Sequence, residues 1–243
     1  MCEISYLKYT LTAEGKDDRL LIEEATALLS REFAFIPVEG NAWNPLEVRL
    51  NAARERTHGV GENPLHVDYL AHACPPRLIA FLCLRNDPKG GGATQLSSFK
   101  QAMREVTDRE KALLLEKKFW YWSDPTGSAF GESLPMFSII SGEIGAGVVR
   151  FSSKMFEIDG NIKQEIVSKN ESSRNLLASA LKSLRLSLQK HRIDILLSRG
   201  DLILFDQRIF AHGRSALGPG QCDLPIEQRR LLMQAYLSHK LPS

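Results

Sequence analysis

Gly200-Asp-Leu-Ile-Leu-Phe-Asp-Gln-Arg-Ile-Phe-Ala-His-Gly-Arg214 is the stretch that decides how this chain folds. Gly200 marks a turn. Asp201 to Ala211 then reads as one apolar strand, ended by His212 and by Gly213, a residue that permits a tight turn. A histidine at the end of a buried strand suits the mouth of a β-barrel. It suits a satisfied histidine of a core or rim equally well, and this stretch alone does not separate the two.

The neighbouring segments point the same way. Ile193 to Leu197 reads as a strand before the turn, and Leu231 to Leu237 as the last strand. Pro75-Pro76 stop any helix and open Leu78 to Leu84, an apolar run of buried-strand type. Thr94 to Phe99, Met136 to Ile140 and Gly147 to Phe151 read as further short strands. Asp17 to Phe33 has the periodicity of an amphipathic helix, and so does Ser172 to Lys190, with leucines at 177, 181, 184 and 188. Thr107 and Glu110 form a capping box ahead of a helix over Lys111 to Lys117. The aromatic cluster Phe119 to Trp122 alternates at strand spacing and reads as core.

Strands and helices do not alternate regularly, which argues against a doubly wound sheet. The pattern predicts a mainly β fold with flanking helices, a double-sheet jelly-roll barrel. Residues 1–243 are expected as one domain. Within it, 1–60 would be an N-terminal helical lid region and 61–243 the jelly-roll core.

Composition narrows the partners. A net charge of only +2 gives no basic field for nucleic acid or an acidic membrane. The N-terminus, MCEISYLKYTLTAEGKDD, lacks the pattern of a secretory signal, and no apolar run is long enough to span a bilayer. The four cysteines form no CxxC pair, so free thiols in a reducing cytoplasm are expected. The expected partner is a small molecule.

Two further features carry chemistry. His66-Val67-Asp68 puts an imidazole and a carboxylate on one face of an extended chain, where both can grip one cation. Six histidines among 29 acids supply about 0.7 such pairs by chance, so the pair alone decides little. Arg229-Arg230 open the last strand. Adjacent strand residues face opposite ways, so at most one of them points into a barrel, where it needs an anion.

Taken in order, these residues resemble a known family. His66-x-Asp68, Pro75-Pro76, Gly91-Gly92-Ala-Thr94, Gly200-Asp-Leu-x-Leu-Phe-Asp206, His212-Gly-Arg214 and Arg230 are similar to the Fe(II)/2-oxoglutarate dioxygenases of the taurine dioxygenase and clavaminate synthase type. The resemblance spans roughly Gly61 to Tyr236. It implies a double-stranded β-helix of the cupin-like kind. It implies that His66, Asp68 and His212 form the two-histidine, one-carboxylate triad that holds Fe(II) and leaves positions for a chelating acid and O2. Arg230 would take the distal carboxylate of 2-oxoglutarate, and Thr94 would hydrogen-bond that co-substrate. The implied reaction abstracts hydrogen from a small polar metabolite, with hydroxylation as the default and desaturation, cyclisation or epimerisation as variants. The clavaminate synthase flavour suggests an amino acid or antibiotic intermediate from secondary metabolism.

The chain departs from that pattern in two places. Many relatives carry a second arginine four residues after the first, and here the position is Gln234. Their Asp-Asn-Arg reads Asp206-Gln207-Arg208. His72, Arg208, Arg214 and Gln234 remain as candidate substrate contacts. Two other classes fit the same barrel: a cupin-like protein that binds a small molecule without turnover, and a metal-dependent isomerase or hydrolase. Neither needs a 2-oxoglutarate site, so Thr94 and Arg230 discriminate.

Overall fold

The computed structural model describes residues 6–116, 119–120, 130–132, 134, 136–156 and 171–240. In chain order the elements are β1 (Tyr6–Thr10), helix α1 (Asp18–Leu29), β2 (Phe33–Ile36), β3 (Asn44–Glu47), β4 (Asn63–His66), β5 (Leu78–Arg85) and β6 (Thr94–Ser98). The short helices α2 (Phe99–Ala102) and α3 (Asp108–Leu114) follow, then β7 (Phe119–Trp120), β8 (Met136–Phe137), β9 (Ile140–Ser141) and β10 (Val148–Val149). The long helix α4 (Glu171–Lys190) precedes β11 (Ile193–Ile195), β12 (Asp201–Asp206), β13 (Phe210–Arg214) and β14 (Leu231–His239).

Two antiparallel sheets make the body. The larger has the order β1-β12-β5-β14-β2, with β3 also paired to β14. The smaller has the order β11-β6-β13-β4. Among the described residues no ladder joins the two sheets, so this jelly roll is an open sandwich and not a closed ring.

The strand pleat assigns each face. Along β5, Leu78, Ala80, Leu82 and Leu84 pack with Leu21, Ala25 and Leu29 of α1. The alternate residues Ile79, Phe81 and Cys83 meet Leu96 of β6 and Phe210 of β13 between the sheets. Ala211 of β13 points the other way, into a third cluster with Leu177, Leu181 and Leu184 of α4. The layers are therefore helix, large sheet, small sheet, helices. A strand covered on both faces is apolar throughout, which explains the unbroken run in β5. Leu82 is fully buried against α1. Leu82→Ala is expected to destabilise the fold by about 2–5 kcal/mol, readable as a lower denaturant midpoint.

The Gly200–Arg214 stretch is two strands, not one. Gln207, Arg208 and Ile209 turn the chain, so that β12 belongs to the large sheet and β13 to the small one. Asp206 makes this turn without glycine or proline. Its Oδ1 accepts from the Arg208 backbone N–H at 2.8 Å, and its carbonyl accepts from the Ile209 N–H at 3.0 Å. Arg77 closes on the other carboxylate oxygen at 2.7 Å. His212 consequently sits inside β13, not at a strand end.

Residues 6–60, in the region expected as a helical lid, hold α1 and also supply β1, β2 and β3 to the large sheet. α1 stops at Leu29, and Phe33-Ala-Phe-Ile36, rich in residues that suit a pleated surface, pairs with Tyr236–His239. The expected strand over Met136 to Ile140 is split between β8 and β9, which pair with different partners. Phe119 of the aromatic cluster is buried as expected, whereas Tyr121 and Trp122 lie outside the described residues.

Candidate metal centre and anion pocket

His66 and His212 face each other across the β4–β13 ladder, and their ring centroids are 4.4 Å apart. Asp68 lies just beyond β4. Its Oδ1 is 3.3 Å from His66 Nε2 and its Oδ2 is 3.6 Å from His212 Nε2. One ligand atom from each residue falls within 4.8 Å of the others. His66 Nδ1 is 2.8 Å from the Pro64 carbonyl. A carbonyl only accepts, so Nδ1 donates to it and Nε2 is left as the atom that faces Asp68.

Electrostatics prepares the same states. Burial pushes the His212 imidazole down to about 3, so it is neutral at physiological pH. Burial opposes the charge on Asp68, but His212 and His66 beside it and the Tyr236 hydroxyl hold its carboxyl well below the usual carboxylate range. Two imidazoles and one ionised carboxylate on one side of a small gap form a donor set that fits Fe(II). Phe81 and Phe205 flank the His212 ring at 5.9 Å and 5.3 Å. These walls keep the imidazole in place and dry.

Asp68 is held by side chains remote in sequence. Gln234 Nε2 donates to its Oδ2 at 2.8 Å and Tyr236 Oη donates to the same oxygen at 2.9 Å. Gln207 takes both backbone groups of Asp68: its Oε1 accepts from the N–H at 2.9 Å and its Nε2 donates to the carbonyl at 3.2 Å. Gln207 also donates to the Pro76 carbonyl. The next residue, Tyr69, has φ of 53°, a left-handed conformation that bulky residues rarely adopt. Its ring lies against Phe130 and Tyr236.

The same cleft continues to a cationic end, lined by Thr94, Asn63, Arg214 and Arg230. Arg230 is buried, and no described residue hydrogen-bonds its guanidinium. Burial, then the charge of Arg214, pushes it down to about 10, so it remains cationic at neutral pH. Arg214 is buried too, but Nη2 donates to the Gly59 and Gly61 carbonyls, both at 2.7 Å. Arg229 points elsewhere, with Nε on the Leu224 carbonyl. Gly92 lies so close that a Cβ there would come within 2.8 Å of Arg230 Cδ. Asp87 ties this loop to the next by accepting from the Gly91 and Gly218 N–H groups and from Gln221 Nε2. Gly92 thus serves the packing of Arg230, and Gly91 the close approach of the backbone at 216–218.

The remaining candidates are placed differently. His72 is buried, with Nδ1 on the Gly131 carbonyl and its ring edge-on to Tyr69. It joins neither the ligand cluster nor the cationic pocket. Arg208 is engaged by Asp206 and by the Ala146 carbonyl at 3.0 Å, away from the pocket. Gln234 lines the pocket but spends its amide on Asp68. Sequence reading missed Tyr236, Gln207 as a clamp, Asn63 and Asp87. Tyr236 was within reach, because Arg230, Leu232, Gln234 and Tyr236 follow the strand period of two. Gln207 carried no such local signal.

The fold recurs in known proteins. The model of the family described as "Taurine catabolism dioxygenase TauD, TfdA family" matches residues 31–236. No curated protein sequence matches the chain. Among solved structures, an asparagine oxygenase in complex with Fe(II), 3-hydroxyasparagine and succinate superposes with a TM-score of 0.66 at 19% identity, covering 87% of this chain and 63% of its own. The non-haem iron oxygenase OrfP in complex with Fe and alpha-ketoglutaric acid gives 0.64 at 15% identity, covering 92% and 67%. PvcB, an Fe, alpha-ketoglutarate dependent oxygenase from an isonitrile synthetic pathway, gives 0.62 at 19% identity, covering 95% and 74%. The chain thus spans less than two thirds of the asparagine oxygenase's length. These likenesses establish the jelly-roll fold. No described helix is long and apolar enough to cross a membrane.

Proposed function

Since the chain belongs to the taurine catabolism dioxygenase TauD, TfdA family, we propose that it is an Fe(II)- and 2-oxoglutarate-dependent oxygenase of a small, amino-acid-like metabolite. His66 and His212 would hold the iron through Nε2, and Asp68 through its carboxylate. Arg230 would take the distal carboxylate of 2-oxoglutarate, and the Thr94 hydroxyl would hydrogen-bond the same co-substrate. Bound iron, with 2-oxoglutarate and O2, supplies the oxidation of a C–H bond with release of succinate and CO2.

The observation that carries this reading is Arg230. A guanidinium that lines a cleft without a hydrogen bond to a described residue offers its donors to an anion there. It shares one cleft with three convergent metal-ligand candidates. A planar fork suits a carboxylate, and the neighbouring Arg214 adds to the positive field. Phe81, Leu46 and Leu232 line the cleft with apolar surface, which strengthens that attraction by excluding water. A non-catalytic binder or a hydrolase would have no use for this pairing.

The substrate class draws support from the asparagine oxygenase and OrfP, whose structures hold hydroxyasparagine and hydroxy-L-arginine. Hydroxylation is the default outcome, and desaturation or cyclisation starts from the same hydrogen abstraction. The test is formation of succinate from 2-oxoglutarate by the anaerobically iron-loaded protein on admission of air, without added substrate. Iron-dependent succinate is expected. No succinate, together with no thermal shift on adding 2-oxoglutarate, would sink the reading.

A further inference from the structure

Of the three metal-ligand candidates, only Asp68 lies outside a strand, so no ladder fixes it. Its carboxylate is nonetheless held in one orientation. Gln234 and Tyr236, two residues apart on one face of β14, both donate to Oδ2 at 2.8 and 2.9 Å. Both side chains are buried. Edge-on packing against Tyr69 and Phe130 fixes the Tyr236 ring at centroid distances of 5.5 and 5.3 Å. Gln207 meanwhile clamps the Asp68 backbone from both sides.

We propose that Gln234 and Tyr236 are positioning residues that occupy Oδ2 of Asp68 and so present Oδ1 to the metal. The inference rests on the reading of His66, Asp68 and His212 as iron ligands. Two donors on one oxygen use most of its lone-pair capacity, which leaves Oδ1, on the His66 side, as the free ligand atom. Both donors are neutral, so they orient the carboxylate without cancelling the charge that attracts a cation. Hydrogen-bonded partners of this kind tune metal affinity. In this proposal the amide nitrogen of Gln234, a candidate substrate contact from its place four residues beyond Arg230, serves the metal ligand.

The test uses Co(II), a redox-silent probe whose visible spectrum reports its ligand set. Gln234→Met and the isosteric Tyr236→Phe are made singly and together, and each protein is titrated with Co(II) without 2-oxoglutarate. Each single change is expected to weaken Co(II) binding about tenfold, and the pair up to about 100-fold. The Co(II) band should shift while the far-ultraviolet circular dichroism of the metal-free proteins stays parental. Parental affinity in the double variant would overturn the inference. So would weaker binding with a parental spectrum, because a merely loosened fold leaves the ligand set intact. A parent chain that takes up no Co(II) would overturn the metal-centre reading along with it. If the double variant fails to fold, Tyr236→Phe decides by the same two readouts.

Discussion

His212→Ala is expected to lose its metal and, with it, all turnover. Removal of a hydrogen-bonded outer partner costs about 10- to 100-fold in metal affinity. Removal of a direct ligand should exceed that range and take affinity down by more than about 100-fold. The imidazole is neutral by burial and its neighbours Phe81 and Phe205 are apolar, so no nearby group replaces it. Anaerobic Co(II) or Fe(II) titration checks the result directly, and succinate formation checks it functionally. Circular dichroism must stay parental, because loss of the imidazole leaves a gap beside two phenylalanines. Near-parental Co(II) affinity in a folded variant would remove His212 from the metal site.

Arg230→Ala should separate the co-substrate from the metal. The KM for 2-oxoglutarate is expected to rise by at least about tenfold, while Co(II) affinity stays parental. Tenfold is about 1.4 kcal/mol, modest for a charge-assisted pair in a cleft walled by leucine and phenylalanine. Arg214 cannot readily substitute, since the Gly59 and Gly61 carbonyls hold its guanidinium. The metal-free protein should lose little stability, because Arg230 makes no hydrogen bond to a described residue and only the packing of its stem is lost. A purely structural Arg230 would behave the other way, with a lower thermal midpoint and an unchanged KM. That outcome would move the anion role to Arg214.

The sequence made parts of this structure legible through local periodicity. α4 announced itself by its leucine spacing, α3 by its capping box, and β5 by an apolar run behind two prolines. The β12–β13 turn was invisible because Ile209 and Phe210 continue the apolar run and no glycine or proline interrupts it. The turn is made instead by the Arg208 backbone N–H donating to the Asp206 carboxylate. β1 and β2 were hidden for another reason. They are short edge strands, and their pairing partners lie about 200 residues away in sequence. The site followed the same division. His66-x-Asp68 was visible only as a near-chance pair, and its meaning came from the ordered set around it. The supports of Asp68 come from positions 207, 234 and 236, and no spacing rule links those to position 68.

Both ends of the cleft are reached along one stretch of chain: Arg230 stands just before β14, and Gln234 and Tyr236 on the strand engage the carboxylate of Asp68. If Arg230 takes the far end of the co-substrate as proposed, the spacing between it and the residues of β14 would act as a ruler. Each step along one face is two residues, or about 6.6 Å. One methylene in a diacid is a small fraction of that step, so sliding the strand cannot accommodate a shorter or longer acid. The chain length of the co-substrate would then be set by the fixed distance between the metal-ligand candidates and Arg230, which the strand backbone holds.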